Sequence, residues 1–151
     1  VTGEFTRRFC VPGHAAGSRA GSPREDGRVI IVFDGEHYLR SRLAWLYVYG
    51  EWPVDEIDHV NRVYSDDRIC NLREATRSQN MANTRRRSDN KSGFKGVSWN
   101  KKDKKCVDFL HTGGKAKYLG GFDCPTEAHD VYLKVAKETF GQFANGGRNS
   151  Y

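Results

Sequence analysis

The chain has 151 residues, a formal net charge of +6 and a pI near 9.2, enough for one modest core or two small ones and biased towards a polyanionic partner such as nucleic acid. Its longest apolar stretches, around Val29 to Phe33 and Leu43 to Tyr49, fall short of the roughly 20 residues of a membrane span, and no charged start leading into an apolar core and a small-residue cleavage site marks a secretory leader. Four cysteines, Cys10, Cys70, Cys106 and Cys124, are scattered without a C-x-x-C pair, which argues against a zinc knuckle and a disulfide framework and favours reduced thiols in a cytosol.

Residues 1–26 are rich in Gly, Ser, Arg and Pro with little apolar periodicity, and irregular structure is expected there. Arg28 to Phe33 reads as a β-branched strand, and Asp34-Gly35 is a tight-turn signal returning the chain through His37 to Arg40 as a hairpin. From Ser41 the period becomes helical: Leu43, Leu46 and Tyr47 fall at i, i+3 and i+4, Ser41 is placed to cap the start, and Gly50 suits the left-handed position after the end. Glu56 to His59 predicts a short strand, Asn61 to Arg68 a polar loop, and a second short strand follows Asn71. Thr76 with Gln79 three residues later is a capping box, predicting a helix from Arg77 to about Arg86 that carries Asn80 in its first full turn.

Arg85, Arg86, Arg87, Lys91, Lys95, Lys101, Lys102, Lys104 and Lys105 then form a basic run relieved only by Asp89 and Asp103. Its interleaving with Phe94 and Trp99, followed by strand patterns over Lys105 to His111 and Lys117 to Phe122, points to a three-stranded sheet rather than a solvated linker. Pro125 opens a helix in which Ala128, Val131, Tyr132, Val135, Ala136, Thr139 and Phe140 form an apolar stripe, ended by Gly141. Packing that stripe on one face of the sheet leaves the opposite face to meet a duplex.

The residues that carry chemistry are Ile57-Asp58-His59, then Asn71-Leu72-Arg73, then Asn80. Phosphodiester hydrolysis needs an activated water, a cation to neutralise the crowded transition state, and help for the departing oxygen. An imidazole, largely neutral near pH 7, is the natural base, so His59 takes that role. Asp58 offers an anionic oxygen and Asn80 a carbonyl oxygen, hard ligands suited to Mg²⁺ or Mn²⁺. Adjacent strand residues point to opposite sides, so the strand must end or twist for Asp58 and His59 to share a site. Asn71 is placed to hydrogen-bond backbone across the intervening loop and hold that shape. His14, His37, His111 and His129 have no comparable partners and read as surface or structural. Trp45 and Trp52 read as packing around the first helix, and packing is favoured for Trp99 too.

The stretch Arg42 to Asn80, RLAWLYVYGEWPVDEIDHVNRVYSDDRICNLREATRSQN, resembles the phage-type HNH homing endonucleases. The resemblance maps the three letters onto His59, Asn71 and Asn80. It implies a ββα-metal site with His59 as base and Asp58 and Asn80 as ligands of a divalent metal. Ser92 to Asn145, SGFKGVSW through YLGGFDCPTEAHDVYLKVAKETFGQFAN, resembles the APETALA-two or ethylene-response-factor DNA-binding domain. Three departures stand out: Ser41 where relatives carry His, Asp67 where they carry Asn, and Cys106-Val107-Asp108 on a strand that usually reads Trp-Arg-Ala. Loss of that Arg weakens sequence readout by about 1 to 3 kcal/mol while phosphate contacts survive.

The expected architecture is α+β. An irregular segment over 1–26 precedes an HNH nuclease module over 27–87, a basic connector over 88–91, a three-stranded antiparallel sheet packed on one helix over 92–145, and a tail over 146–151. The expected activity is metal-dependent cleavage of double-stranded DNA, with nicking the default for a monomer and a double-strand break requiring a homodimer or two events. No membrane and no small-molecule substrate are expected, and the resemblance implies a phage or mobile-element protein acting in the cytoplasm of a bacterial host. Arg62, Arg73, Arg85, Arg86, Arg87, Lys91, Lys95, Lys101, Lys102, Lys104, Lys105 and Lys117 are the candidate DNA contacts. The main alternative is a DNA-binding protein that keeps the fold without turnover, and a weaker one is an RNA-binding protein.

Overall fold

A computed structural model describes residues 2–147; residue 1 and the end of the expected tail, 148–151, lie outside the described residues. The chain divides into two compact units, Val1–Ala75 and Thr76–Tyr151. Among the described residues there are three α-helices and three antiparallel sheets, an α+β arrangement. No helix among them is long and apolar enough to cross a membrane, and Cys10, Cys70, Cys106 and Cys124 are all unbridged.

In the first unit, β1 (Ser22–Pro23), β2 (Val29–Phe33) and β3 (Glu36–Leu39) form one sheet in that order. Asp34 and Gly35 both have positive φ, 52° and 79°, the geometry that matches a two-residue hairpin turn to strand twist. The first 26 residues are more ordered than their composition predicts: Ser22 and Pro23 pair with Ile30 and Val29, and Thr6 bridges Arg19. Proline is tolerated there because β1 is an edge strand.

The helix α1 (Arg40–Tyr49) has its N-cap at Leu39, two residues before the predicted cap at Ser41, with no side-chain cap bond. Leu39 is still paired with Ile30, so the strand runs directly into the helix. Ser41 falls inside the first turn, where it is buried instead of capping. Gly50 closes α1 at φ 78°, its N–H donating to the Leu46 carbonyl, as the left-handed C-cap requires. The remaining strands, β4 (Glu56–His59) and β5 (Leu72–Ala75), form an antiparallel pair in which Asp58 faces Arg73 and His59 faces Leu72.

In the second unit, α2 (Arg77–Asn83) opens on the predicted capping box: Gln79 N–H donates to Thr76 Oγ1 and Thr76 N–H to Gln79 Oε1. The helix stops at Asn83 rather than near Arg86, because Thr84 turns to extended backbone with ψ 154° and the carbonyls at this end take side-chain partners described below. The strands β6 (Val97–Asn100), β7 (Lys105–Thr112) and β8 (Lys115–Phe122) form an antiparallel sheet in sequential order. Its register shifts between Asp108 and Phe109.

The last helix, α3 (Pro125–Phe140), packs on this sheet. Cys106, Asp108 and Leu110 alternate inwards along β7, and Val97, Cys106 and Ala128 form a core cluster with Phe94 and Phe122 against it. Of the predicted stripe, Ala128, Tyr132, Ala136 and Phe140 are buried. Thr139 is exposed, with its hydroxyl returned to the Val135 carbonyl, and His129 takes a buried place that the stripe did not include. Trp99 is 56% exposed, so the expected packing does not enclose it.

Candidate functional site

The site is built on the end of β4. Asp58 and His59 are each only 3% exposed, and their side chains take different partners, as alternation along a strand dictates. Asp58 meets its cross-strand neighbour: the Nε and a terminal nitrogen of Arg73 both lie 2.8 Å from Asp58 Oδ2. Since Asp58 and Arg73 are directly paired between β4 and β5, this ion pair follows from strand register.

His59 is engaged by the loop that follows it. Its Nε2 is 2.7 Å from Asp67 Oδ1, and the ring of Tyr64 stands edge-on with centroids 5.7 Å apart. Asp67 is itself 2% exposed, and its other oxygen accepts from Arg40 Nε at 2.7 Å. Arg40, at the start of α1, donates also to the Ser65 carbonyl, gripping the loop at two points. A carboxylate tied to a guanidinium only accepts hydrogen bonds. Nε2 of a neutral His59 therefore carries the proton, and the basic lone pair belongs to Nδ1.

The strand ends at His59, where the Arg62 N–H returns to the His59 carbonyl and Arg62 takes a left-handed φ of 62°. Asn71 then spans the loop. Its Oδ1 accepts from the Asn61 N–H at 2.9 Å and its Nδ2 donates to the Asp66 carbonyl at 2.7 Å, the backbone-bridging geometry expected of it. Asp66 ties the same turn together through Arg68 and Asn61; these bonds, the one to Arg68 foremost, hold its carboxyl down to about 2. The N-terminal segment closes over the loop at Gly3, where an added Cβ would lie 2.0 Å from the Asp67 carbonyl oxygen.

Asn80 lies on α2 of the second unit, half-buried, with its backbone N–H on the Thr76 carbonyl. The candidate DNA contacts fare differently from one another. Arg62 is half-buried, with its backbone N–H on the His59 carbonyl, and Arg73 is engaged by Asp58. Arg86 donates to the Asn90 carbonyl, Arg87 pairs with Asp89, and Lys95 donates to backbone carbonyls within its unit. Lys91, Lys101, Lys102, Lys104, Lys105 and Lys117 are exposed along with Arg85, although Lys105 Nζ lies 3.9 Å from Asp123. On the side of β7 away from α3, Lys105 is followed by Val107, Phe109 and His111. The basic residues therefore concentrate in the β6–β7 turn rather than across that face.

Sequence reasoning did not anticipate Asp67 as the partner of His59, or Arg40 as the partner of Asp67. Asp67 was visible as a departure from the resembled pattern, but its carboxylate gains meaning only beside His59 and Arg40.

Residues 38–82 match the HNH endonuclease family, a span containing Arg40, Asp58, His59, Asp67, Asn71 and Asn80. No curated protein and no solved structure matches the chain. The family match implies a divalent metal. Among the described residues no group of three or more His, Cys, Asp or Glu side chains is gathered to hold one. The residues proposed by the sequence, one carboxylate and one carboxamide, are hard oxygen donors of the type that leaves the remaining positions to water and phosphate. Asp58 is a buried carboxylate of that donor type, and a metal bound there would share it with, or displace, the Arg73 guanidinium.

Proposed function

We propose that this chain is a metal-dependent endonuclease that hydrolyses phosphodiester bonds in double-stranded DNA, with nicking as the act of a single site. The observation that supports this best is the buried His59, oriented by Asp67 within the segment that matches the HNH family. His59 is the general base: with Nε2–H donated to Asp67, Nδ1 accepts the proton of the attacking water. Asp67 and Arg40 keep the imidazole in that tautomer and orientation. Asn71 holds the loop, and Asp58 and Asn80 are the metal ligands. When bound, Mg²⁺ or Mn²⁺ neutralises charge on the phosphoryl oxygens and the departing 3′ oxygen. The exposed lysines of the β6–β7 turn, with Arg85, supply phosphate contacts that position the duplex. A homing-type role, a phage or mobile-element origin and an APETALA-two-like identity for 92–145 rest on sequence resemblance.

The test is relaxation of supercoiled plasmid with Mg²⁺ or Mn²⁺. Nicking that disappears in EDTA and in His59→Ala supports the reading. A second reading, a DNA-binding protein without turnover, is favoured by the Arg73–Asp58 ion pair, which sets a guanidinium where a metal is proposed. Tight duplex binding with no nicking in any divalent metal would establish it.

A further inference from the structure

The helix that carries Asn80 is seven residues long, too short to persist on its own propensity, and its last carbonyls need partners from elsewhere. Lys95 supplies two of them: its Nζ lies 2.6 Å from the Ala82 carbonyl oxygen and 2.7 Å from that of Thr84. Asn145 Nδ2 donates to the Asn83 and Thr84 carbonyls at 2.9 and 3.2 Å. Nearer the start of α2, Ser78 Oγ accepts from the Gly113 N–H at 3.0 Å, from the turn between β7 and β8. A cation on the terminal carbonyls also complements the negative end of the helix.

Lys95 is itself fixed. Its carbonyl lies 3.1 Å from Nδ1 of the buried His129 on α3, and a Cβ at Gly147 would approach Lys95 Cβ to 2.8 Å. The chain after α3 therefore lies against the lysine stem. A lysine in a basic run is ordinarily read as a phosphate contact, yet this ammonium is half-buried and directed at backbone oxygens.

We infer that Lys95, assisted by Asn145, is a positioning residue for strand cleavage rather than a DNA contact. The sheet-and-helix unit fixes α2, and with it Asn80, through a clamp on the helix C-terminus. The inference rests on the proposed nuclease reading, in which Asn80 holds the metal.

The experiment uses the full chain with Lys95→Met, which keeps the stem and removes the ammonium. Single-turnover nicking is measured across a Mn²⁺ titration, and affinity for uncut duplex across a salt series. The expected result is a nicking rate lower by about tenfold or more and a Mn²⁺ midpoint shifted upwards. Duplex affinity and its salt slope stay unchanged, and Lys95→Arg recovers part of the rate. A salt slope reduced by about one with an unchanged nicking rate would overturn the inference, making Lys95 a phosphate contact. If Lys95→Met does not fold, Asn145→Ala carries the same test. A slower rate at unchanged affinity is expected, and an unchanged rate and Mn²⁺ midpoint overturn the clamp. A wild-type chain that binds duplex without nicking removes the nuclease reading itself, an outcome distinct from either.

Discussion

Asp67 joins His59 to Arg40, with one carboxylate oxygen 2.7 Å from the imidazole Nε2 and the other 2.7 Å from the guanidinium Nε. Replacing Asp67 by Ala removes the group that fixes the tautomer of His59. Nicking is expected to fall about ten- to hundredfold, the usual loss when a group supporting a site residue is deleted, with duplex affinity unchanged. Asp67→Asn keeps an oxygen acceptor and recovers most of the rate, as single-turnover plasmid relaxation will show.

Arg40 tests the same linkage through stability. Arg40→Met leaves a buried carboxylate without its cation and is expected to cost about 3 kcal/mol, read as a shift in the urea midpoint. Adding Asp67→Asn to that variant restores part of the loss, because the anion that needed Arg40 is gone. Equal and additive effects in the cycle would show that the two residues are not coupled.

The Arg73–Asp58 pair places a guanidinium on the carboxylate proposed for the metal. Arg73→Gln is expected to destabilise the metal-free chain by about 3 kcal/mol and to make stability respond to Mn²⁺, since a cation that binds only the folded state raises its midpoint by mass action. Thermal melts over a Mn²⁺ series check this. A variant whose melting is indifferent to Mn²⁺ would argue that Asp58 holds no metal.

Asp108 is wholly buried under α3, and neither carboxylate oxygen has a hydrogen-bond partner. Desolvation pushes its pKa up to about 7, the nearby Phe109 amide pulling weakly the other way. Tyr132 faces the same core, its hydroxyl pushed up to about 12 by burial and by Asp108. The folded state keeps the Asp108 proton at pH values where the unfolded chain releases it, so raising the pH favours unfolding. Stability is expected to fall between about pH 4 and 7, by about 4 kcal/mol in all, and to level off above that. Asp108→Asn removes this contribution, so denaturation at a series of pH values should give a flatter curve than the parent.

The elements that could be read from the sequence are those fixed by local physics. Asp34-Gly35, Gly50, the Thr76–Gln79 box and Pro125 each act within a few residues, and each stands where it was expected. The roles of Arg40, Asp67 and Lys95 depend on partners brought close only by folding. Arg40 meets Asp67 across 27 residues, and Lys95 meets the end of α2 across a loop. A lysine in a basic run therefore read as a DNA contact, while its ammonium is directed at helix carbonyls. Asp108 sits at an inward strand position where alternation predicts an apolar side chain. In the sequence it stood out only as part of the Cys106-Val107-Asp108 departure, and neither its burial nor its missing partners was legible there. Trp99 read as packing and is largely exposed, since aromatic content near a strand does not fix how completely a neighbouring helix covers it.

Asn71 closes the excursion after β4 with one carboxamide, its oxygen on Asn61 and its nitrogen on Asp66. A two-ended staple of this kind makes the segment a gauge of chain length. One residue inserted between Asn61 and Asp66 would pull one contact out of reach while the other held, and the carboxylate at position 67 would swing away from the imidazole. An insertion is accordingly expected to cost less at the exposed Asp34-Gly35 tip than in this turn.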